Sequence, residues 1–189
     1  DTFIRQAEQR IYNVAQPANQ RKNVTGTLTA GNKYLQCPID FLSVFSLAIY
    51  PAAGGSYEYL LDKDVNFIRQ AYPNPATTGK PKHYAIFGPR SDNADELTLI
   101  LGPTPDLAYN AELHYYAAPQ SIVDAPDGRT WLGDNFDSVL LYGTMCEALT
   151  YMKGETEMVK LYQDRYVQAI ALYKNLADGK QRGDAYRNG

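Results

Sequence analysis

The stretch GKPKHYAIFG, Gly79 to Gly88, places a Gly-Lys pair beside the first of the two histidines in the chain. Such a pair cradles phosphate when it closes the pattern G-x-x-x-x-G-K-[ST], because backbone amides wrap the phosphates and the final hydroxyl holds the metal. Here Asn74 stands where the first glycine is required, and Pro81, which has no amide hydrogen, stands where Ser or Thr is required. The stretch therefore reads as a turn that feeds a strand. His83 and His114 both neighbour tyrosines in strand-like sequence, and zinc binding or acid–base catalysis from them needs partners that converge from elsewhere. No metal-spaced partner accompanies either one, so both read as polar strand positions or hydrogen-bonded rim residues. Asp62, Asp64, Asp92, Asp95, Asp124 and Asp127 lie near turns, where such side chains bond local backbone. The regular acidic spacing of a calcium loop is missing. So are a Gly-x-Ser-x-Gly elbow and a dinucleotide fingerprint. An enzyme would have to build its site from His83, His114 and carboxylates that no motif marks; no catalytic residue, metal or cofactor is expected.

Tyrosine stands out instead, with 16 residues against 6 Phe and 1 Trp. It offers a large contact area at low conformational cost and one polar tip, which suits half-wet interfaces as well as ordinary packing. Tyr162, Tyr166 and Tyr173 recur along the last third of the chain, and Tyr186 lies between Arg182 and Arg187 in an aperiodic tail. These six residues are the candidate interface set, with core packing as the plain alternative for the first three and a frayed end for the others.

The elements that must position them follow from the periods. In TFIRQAEQRIYNVAQP, Ile4, Ala7, Ile11 and Val14 recur at steps of three and four, which predicts a helix that Pro17 ends. Residues 18–31 are polar and read as a connection or a weak edge strand. KYLQCPIDFLSVFSLAIYP, YEYLLDKDVNFIRQAYP, KHYAIFGP, DELTLILGP and YNAELHYYAAP are short aromatic and β-branched runs closed by turn residues, the pattern of a small antiparallel sheet or sandwich. The run from Phe41 to Ile49 is apolar on both faces and reads as a central strand, whereas Glu96–Leu99 and Glu112–Tyr115 alternate as half-buried strands do. After Trp131 the helical period returns. Val139, Tyr142, Met145, Cys146, Leu149 and Met152 form one stripe, with Asp134 or Asn135 as the cap. Val159, Tyr162, Tyr166, Ile170 and Tyr173 form the next, stopped by Gly179. The short link predicts an antiparallel helical hairpin. The expected class is α+β: a helical bundle from 1–17 and 131–178, an inserted β domain over 18–130, and a flexible arm over 179–189.

Composition narrows the partners. With 18 Lys and Arg against 21 Asp and Glu, the formal charge of -3 gives no footprint for duplex DNA, whose affinity rests on phosphate neutralisation. No apolar run approaches the roughly 18 residues of a membrane span, so no membrane partner is expected. Cys37 and Cys146 read most simply as buried free thiols of a protein made in a reducing cytosol, with a disulfide between them as the alternative. Asn23-Val24-Thr25 fits the glycosylation pattern, which has meaning only in a secreted protein.

Five stretches in order, FIRQAEQRIYNVA, YLQCPIDFLSVFSLAIY, FIRQAYPNPATTGKPKHYAIFG, LTLILGPTPDLAYNAELHYYAAPQSIV and TWLGDNFDSVLLYGTMCEALTYMKGETEMVKLYQDRYVQAI, resemble the head-to-tail adaptor, or neck, proteins of short-tailed and related tailed bacteriophages. The resemblance spans Phe3 to Ile170. It implies a structural protein of the virion neck at the unique portal vertex: a homo-oligomeric ring, usually of twelve copies, that binds the portal protein, extends the channel for passing genomic DNA without specific binding, and presents a surface to tail tube, nozzle or fibre proteins. It further implies that Gly79 and Pro81 are turn residues before a strand, with His83 incidental, and that the arm after Asp178 docks on the portal. The competing expectation is a carbohydrate- or receptor-binding β module of a virion or cell surface, suggested by the tyrosine-rich strands and Trp131.

Overall fold

A computed structural model describes residues 1–14, 20–74, 76–89 and 96–181, with side chains to residue 175. The chain divides into two compact units, one formed by residues 1–20 and 119–189 and the other by residues 21–118. The protein is an α+β mixture, with helices at both ends of the sequence and strands between them. Residues 119–130, which the sequence groups with the strands, associate with the helices.

In the helical unit, α1 (Thr2–Val14), α3 (Trp131–Asn135), α4 (Asp137–Tyr151) and α5 (Thr156–Gln181) share one core. Ala7 and Ile11 of α1 are buried, as their spacing requires. On α4 the buried positions are Val139, Leu140, Gly143 and Cys146; Tyr142, Met145 and Leu149 are half-buried, and Met152 is exposed. Gly143 is buried because an added Cβ there would lie 3.2 Å from the Tyr166 ring and 3.3 Å from Ala7. Asp134 and Asn135, expected to cap the helix of Val139 to Met152, lie instead within α3, and α4 starts after Phe136 with no side-chain cap; the entry to α3 is capped by Thr130, whose hydroxyl accepts from the Gly133 amide at 3.2 Å. Between α4 and α5, Lys153 takes a left-handed conformation (φ 52°), the usual way to reverse a chain at a helix end. Gly179 does not stop α5, which continues to Gln181: one glycine costs a helix only about 1 kcal/mol, and the helix runs unbroken from Thr156 to that point. The arm expected over residues 179–189 therefore starts inside α5, and its residues 182–189 lie outside the described residues.

The β unit is built from two four-stranded sheets around one core. The first has the order β1 (Arg21–Leu28), β10 (Tyr109–Ala117), β3 (Phe41–Pro51), β4 (Glu58–Tyr59). The second has the order β2 (Tyr34–Gln36), β8 (Thr98–Gly102), β7 (His83–Phe87), β5 (Leu61–Asp62). Leu47, Ile49, Leu113 and Tyr115 from the first sheet meet Tyr84, Leu99 and Leu101 from the second. A two-stranded pair, β6 (Thr78–Gly79) with β9 (Thr104–Pro105), completes the set. That pair and β5 with β7 run parallel, unlike the remaining antiparallel pairs. β10 alternates buried and half-buried positions along all nine residues, as expected, while all five residues of β8 are buried. β8 is covered on one face by the shared sheet core and on the other by α2 (Val65–Ala71), whose Ile68 packs on Ala85 and Ile100.

That helix is a correction, since YEYLLDKDVNFIRQAYP reads as strand. Its signals are local. The Asp64 carboxylate accepts from the Asn66 amide at 2.7 Å, and Val65, Ile68 and Tyr72 fall at helical spacing. β3 is also less central than its two apolar faces suggest. It pairs with β10 along its length, but β4 covers it only at Ala48 and Ile49.

Candidate functional site

Each histidine has a structural explanation in its own sheet. His83 of β7 receives or donates a 3.0 Å hydrogen bond between Nδ1 and the Tyr72 hydroxyl, beside the Phe67 ring. Burial, then the positive charges of Lys63 and Lys82, hold its imidazole below the ordinary range. His114 of β10 lies between Ser46, 3.4 Å from Nδ1, and Glu112, 3.7 Å from Nε2. A hydroxyl, an imidazole and a carboxylate in line suggest nucleophilic chemistry, but both separations exceed the hydrogen bond such a relay needs. The Glu112 carboxylate instead accepts from Asn23 Nδ2 of β1 at 2.9 Å, a diagonal tie between β1 and β10, since Asn23 is paired with His114 and Glu112 with Thr25. Among the described residues no group of three or more His, Cys, Asp or Glu side chains is arranged to hold a metal ion.

The acidic residues also serve local structure. Asp64 caps α2, and Asp124 takes both nitrogens of the Arg5 guanidinium at 2.7 and 2.6 Å, fastening residues 119–125 to α1. Glu8, one turn along α1, accepts the Ile122 amide at 2.9 Å. Asp92 and Asp95 lie outside the described residues. Cys37 and Cys146 are free and buried, one in each unit. Burial, then the nearby Glu96, pushes the Cys37 thiol up to about 12, so its nucleophilic thiolate is scarce at neutral pH.

The interface set divides three ways. Tyr166 and Tyr173 are core residues of the helical unit, the packing alternative of the sequence reading. Tyr173 is fully buried, its ring set edge-on to Phe136 with centroids 5.2 Å apart. Tyr166 packs between α1 and α4, with the Arg10 guanidinium 4.8 Å from its ring centroid. Burial pushes the pKa of both phenols up, which keeps them neutral. Tyr162 is half-buried against Tyr142 and keeps an accessible side. Arg182, Tyr186 and Arg187 lie outside the described residues.

Periodicity pointed to the tyrosines, but burial singles out other residues as the exposed apolar surface. On α5, Met158, Leu161 and Leu172 are exposed and, with Arg165, recur at three-, four- and seven-residue steps along one face beside the buried stripe. At the α4–α5 turn, Tyr151 and Met152 are exposed, with the Phe3 ring 5.3 Å from Tyr151. In the β unit, Ile39, Leu42 and Phe45 are exposed within seven residues. The sequence signal existed in each case as a large apolar residue off the core period. Contiguous patches of this kind mark protein contacts more often than they mark chemistry.

No helix among the described residues is long and apolar enough to cross a membrane. Among individually curated proteins, none matches the chain. The family model described as SU10 adaptor protein matches residues 1–188, practically the whole length. A bacteriophage structural adaptor accounts for exposed apolar surface together with histidines and carboxylates engaged in local hydrogen bonds, and the chain belongs to the SU10 adaptor protein family.

Proposed function

We propose that this phage adaptor forms a ring in the virion neck, between the portal and the tail, where it extends the DNA channel and offers a docking surface to tail components. The observation that carries the reading is the exposed apolar stripe of α5, Met158, Leu161 and Leu172, on a unit that already has a complete core. A surface helix whose apolar residues continue past its buried face is suited to a neighbouring copy or a portal subunit. Tyr162, at the margin of the core, is part of that contact, and Arg182, Tyr186 and Arg187 anchor the terminal arm on the portal. The formal charge of -3 is compatible with a channel wall along which DNA passes without electrostatic capture.

Native mass spectrometry of the chain, alone and mixed with the cognate portal ring, tests this. The expected result is a mass increase of one adaptor per portal subunit, and absence of any complex with both termini intact overturns the reading. Removing residues 182–189 is expected to leave the fold unchanged and weaken portal docking. A second reading, a carbohydrate-binding β module, draws on the exposed rings of Tyr57 and Tyr59 beside Glu58. A glycan array without binding removes it.

A further inference from the structure

One face of the hairpin made by α4 and α5 is apolar and uncovered. The two helices run antiparallel, since Phe136 meets Tyr173 at one end, Tyr142 meets Tyr162 further along, and the turn at Lys153 joins them at the other. α4 carries charge only at Asp137 and Glu147, and Arg10 engages Glu147 at 3.2 Å. Its buried residues, Val139, Leu140, Gly143 and Cys146, account for one side. At about 100° per residue, Leu141, Met145, Ala148 and Met152 fall on the opposite side. Of these, Leu141 and Met152 are exposed and the other two half-buried. A helix that is apolar on opposite faces is one with neighbours on both.

The exposed stripe of α5 borders this same face. In rotation about α5, Tyr162 falls between the core residue Tyr166 and Met158; about α4, Tyr142 falls between the core residue Cys146 and Met145. The half-buried pair Tyr142 and Tyr162, with ring centroids 6.3 Å apart, is therefore the floor of a groove. Its ridges are Leu141, Met145 and Met152 on one side and Met158, Leu161 and Leu172 on the other. α1 lies on the far side of the hairpin, where Gly143 faces Ala7 and Arg10 covers the Tyr166 ring. All three methionines of the chain stand on these ridges. Their unbranched, polarizable side chains adapt to an apolar neighbour. A groove of this form takes the apolar side of another helix, and the 15 residues of α4 give it a length of about 22 Å.

Arg165 decides what that helix carries. It is exposed, lies midway along the α5 ridge, and has no ion pair among the described residues. The positions three and four away on α5 are Leu161, Tyr162, Gln168 and Ala169, so its own helix offers no carboxylate. An apolar neighbour laid over it would leave a covered charge without a counter-charge, so the occupant supplies an Asp or Glu. A second copy of this chain does not. Two such faces set together bring Arg165 against apolar side chains and against another Arg165. The exposed side of α1, with Gln6, Gln9, Arg10 and Asn13, is polar and basic, and α2 has Arg69 and no carboxylate. The outer side of α5, with Lys160, Asp164, Val167 and Lys174, sets two lysines against one carboxylate.

In the ring reading α5 meets a neighbouring copy or a portal subunit, and Arg165 selects the second. We propose that the groove between α4 and α5 seats one helix of a portal subunit, about four turns long, apolar on the side it presents and with an Asp or Glu opposite Arg165. The inference rests on the ring reading and names the portal element that the helical unit takes.

The experiment is native mass spectrometry of the full chain with the cognate portal ring, for the parent, Leu141→Glu, Arg165→Glu and Arg165→Lys. Lys160→Glu, on the outer side of α5, is the control. All three positions are exposed, and thermal unfolding confirms that each variant is folded; should Leu141→Glu unfold, Arg165→Glu carries the test. Leu141→Glu and Arg165→Glu are expected to weaken portal binding by about tenfold or more, while Arg165→Lys and Lys160→Glu bind as the parent does. A photo-crosslinking side chain in place of Leu161 is expected to label a helical portal peptide with a carboxylate among apolar residues. Binding by Arg165→Glu equal to the parent's overturns this groove and leaves the ring reading standing, as does crosslinking to other copies of this chain alone. An equal loss for Lys160→Glu also overturns the assignment to this face. A parent that forms no complex with portal rings overturns both.

Discussion

Asp40 ties together the start of β3 and two neighbouring strands, accepting Lys22 Nζ at 2.6 Å and the Tyr115 hydroxyl at 2.9 Å. Burial by itself raises its carboxyl, but the hydrogen bonds from Lys22 and Tyr115 and the charge of Lys22 together lower it below the ordinary carboxylate range. Its folded value is therefore below its unfolded value. The stability it contributes is present above the unfolded carboxylate range and is lost as pH falls through the folded value. Asp40→Asn is expected to flatten the acid side of the stability–pH curve while leaving the side above neutrality parallel to the parent, as read by urea unfolding across pH. An unchanged acid side would show that Asp40 is not among the groups responsible. At the same scale Ile170, nine-tenths buried in the helical core, is expected to lose about 2–5 kcal/mol on Ile170→Ala, the range for buried large-to-small changes. Leu149 is half-buried and is expected to lose less.

The elements are held by close approaches that small residues permit. Gly102 of β8 lies beneath α2, and an added Cβ would stand 2.6 Å from the Tyr72 ring and 3.1 Å from Ile68. Tyr72 is itself held by His83, so its ring cannot swing away without breaking that hydrogen bond. Gly102→Ala is expected to destabilise the β unit by about 1–3 kcal/mol, the usual cost of overpacking, and the loss shows as a lowered denaturant midpoint. A midpoint equal to the parent's would mean that α2 shifts freely on the sheet. Gly154 plays a similar part after α4, where an added Cβ would stand 2.9 Å from a Leu149 methyl.

For the whole molecule, the consequential fact is that the β unit is one continuous segment whereas the helical unit is assembled from the two ends of the sequence. Both sheets face a single core made from residues within that segment. Residues 21–118 excised as a separate chain are therefore expected to fold, with cooperative thermal unfolding and dispersed amide resonances. Failure to fold would show that the helices are needed to hold the sheets together. The insertion also separates two tasks: either unit can carry contacts to neighbours while the other keeps its own core.

The period of apolar residues by itself determined the terminal helices and the alternation of β10, because a segment with one buried face repeats at the pitch of its own backbone; Gly79, expected in a turn, instead pairs with Pro105 as part of β6. The local sequence also determined what the Gly-Lys pair is not, since Pro81 removes the amide a phosphate loop uses. Only tertiary structure decided the rest. Val65–Ala71 carries a local helix signal in the Asp64 cap, but it was the Ala85 and Ile100 surface it covers, contacts far apart in sequence, that gave the segment its buried face. Whether Tyr166 and Tyr173 meet partners or the core depended on α1 and Trp131, Phe136 and their helices closing over them. The exposure of Phe45 on an apolar strand followed from its place on the sheet face away from the shared core, against Tyr116 and Arg21, which no local pattern encodes. Periodicity reports which face of an element is apolar, and only packing decides whether that face is covered within the chain or left for another one.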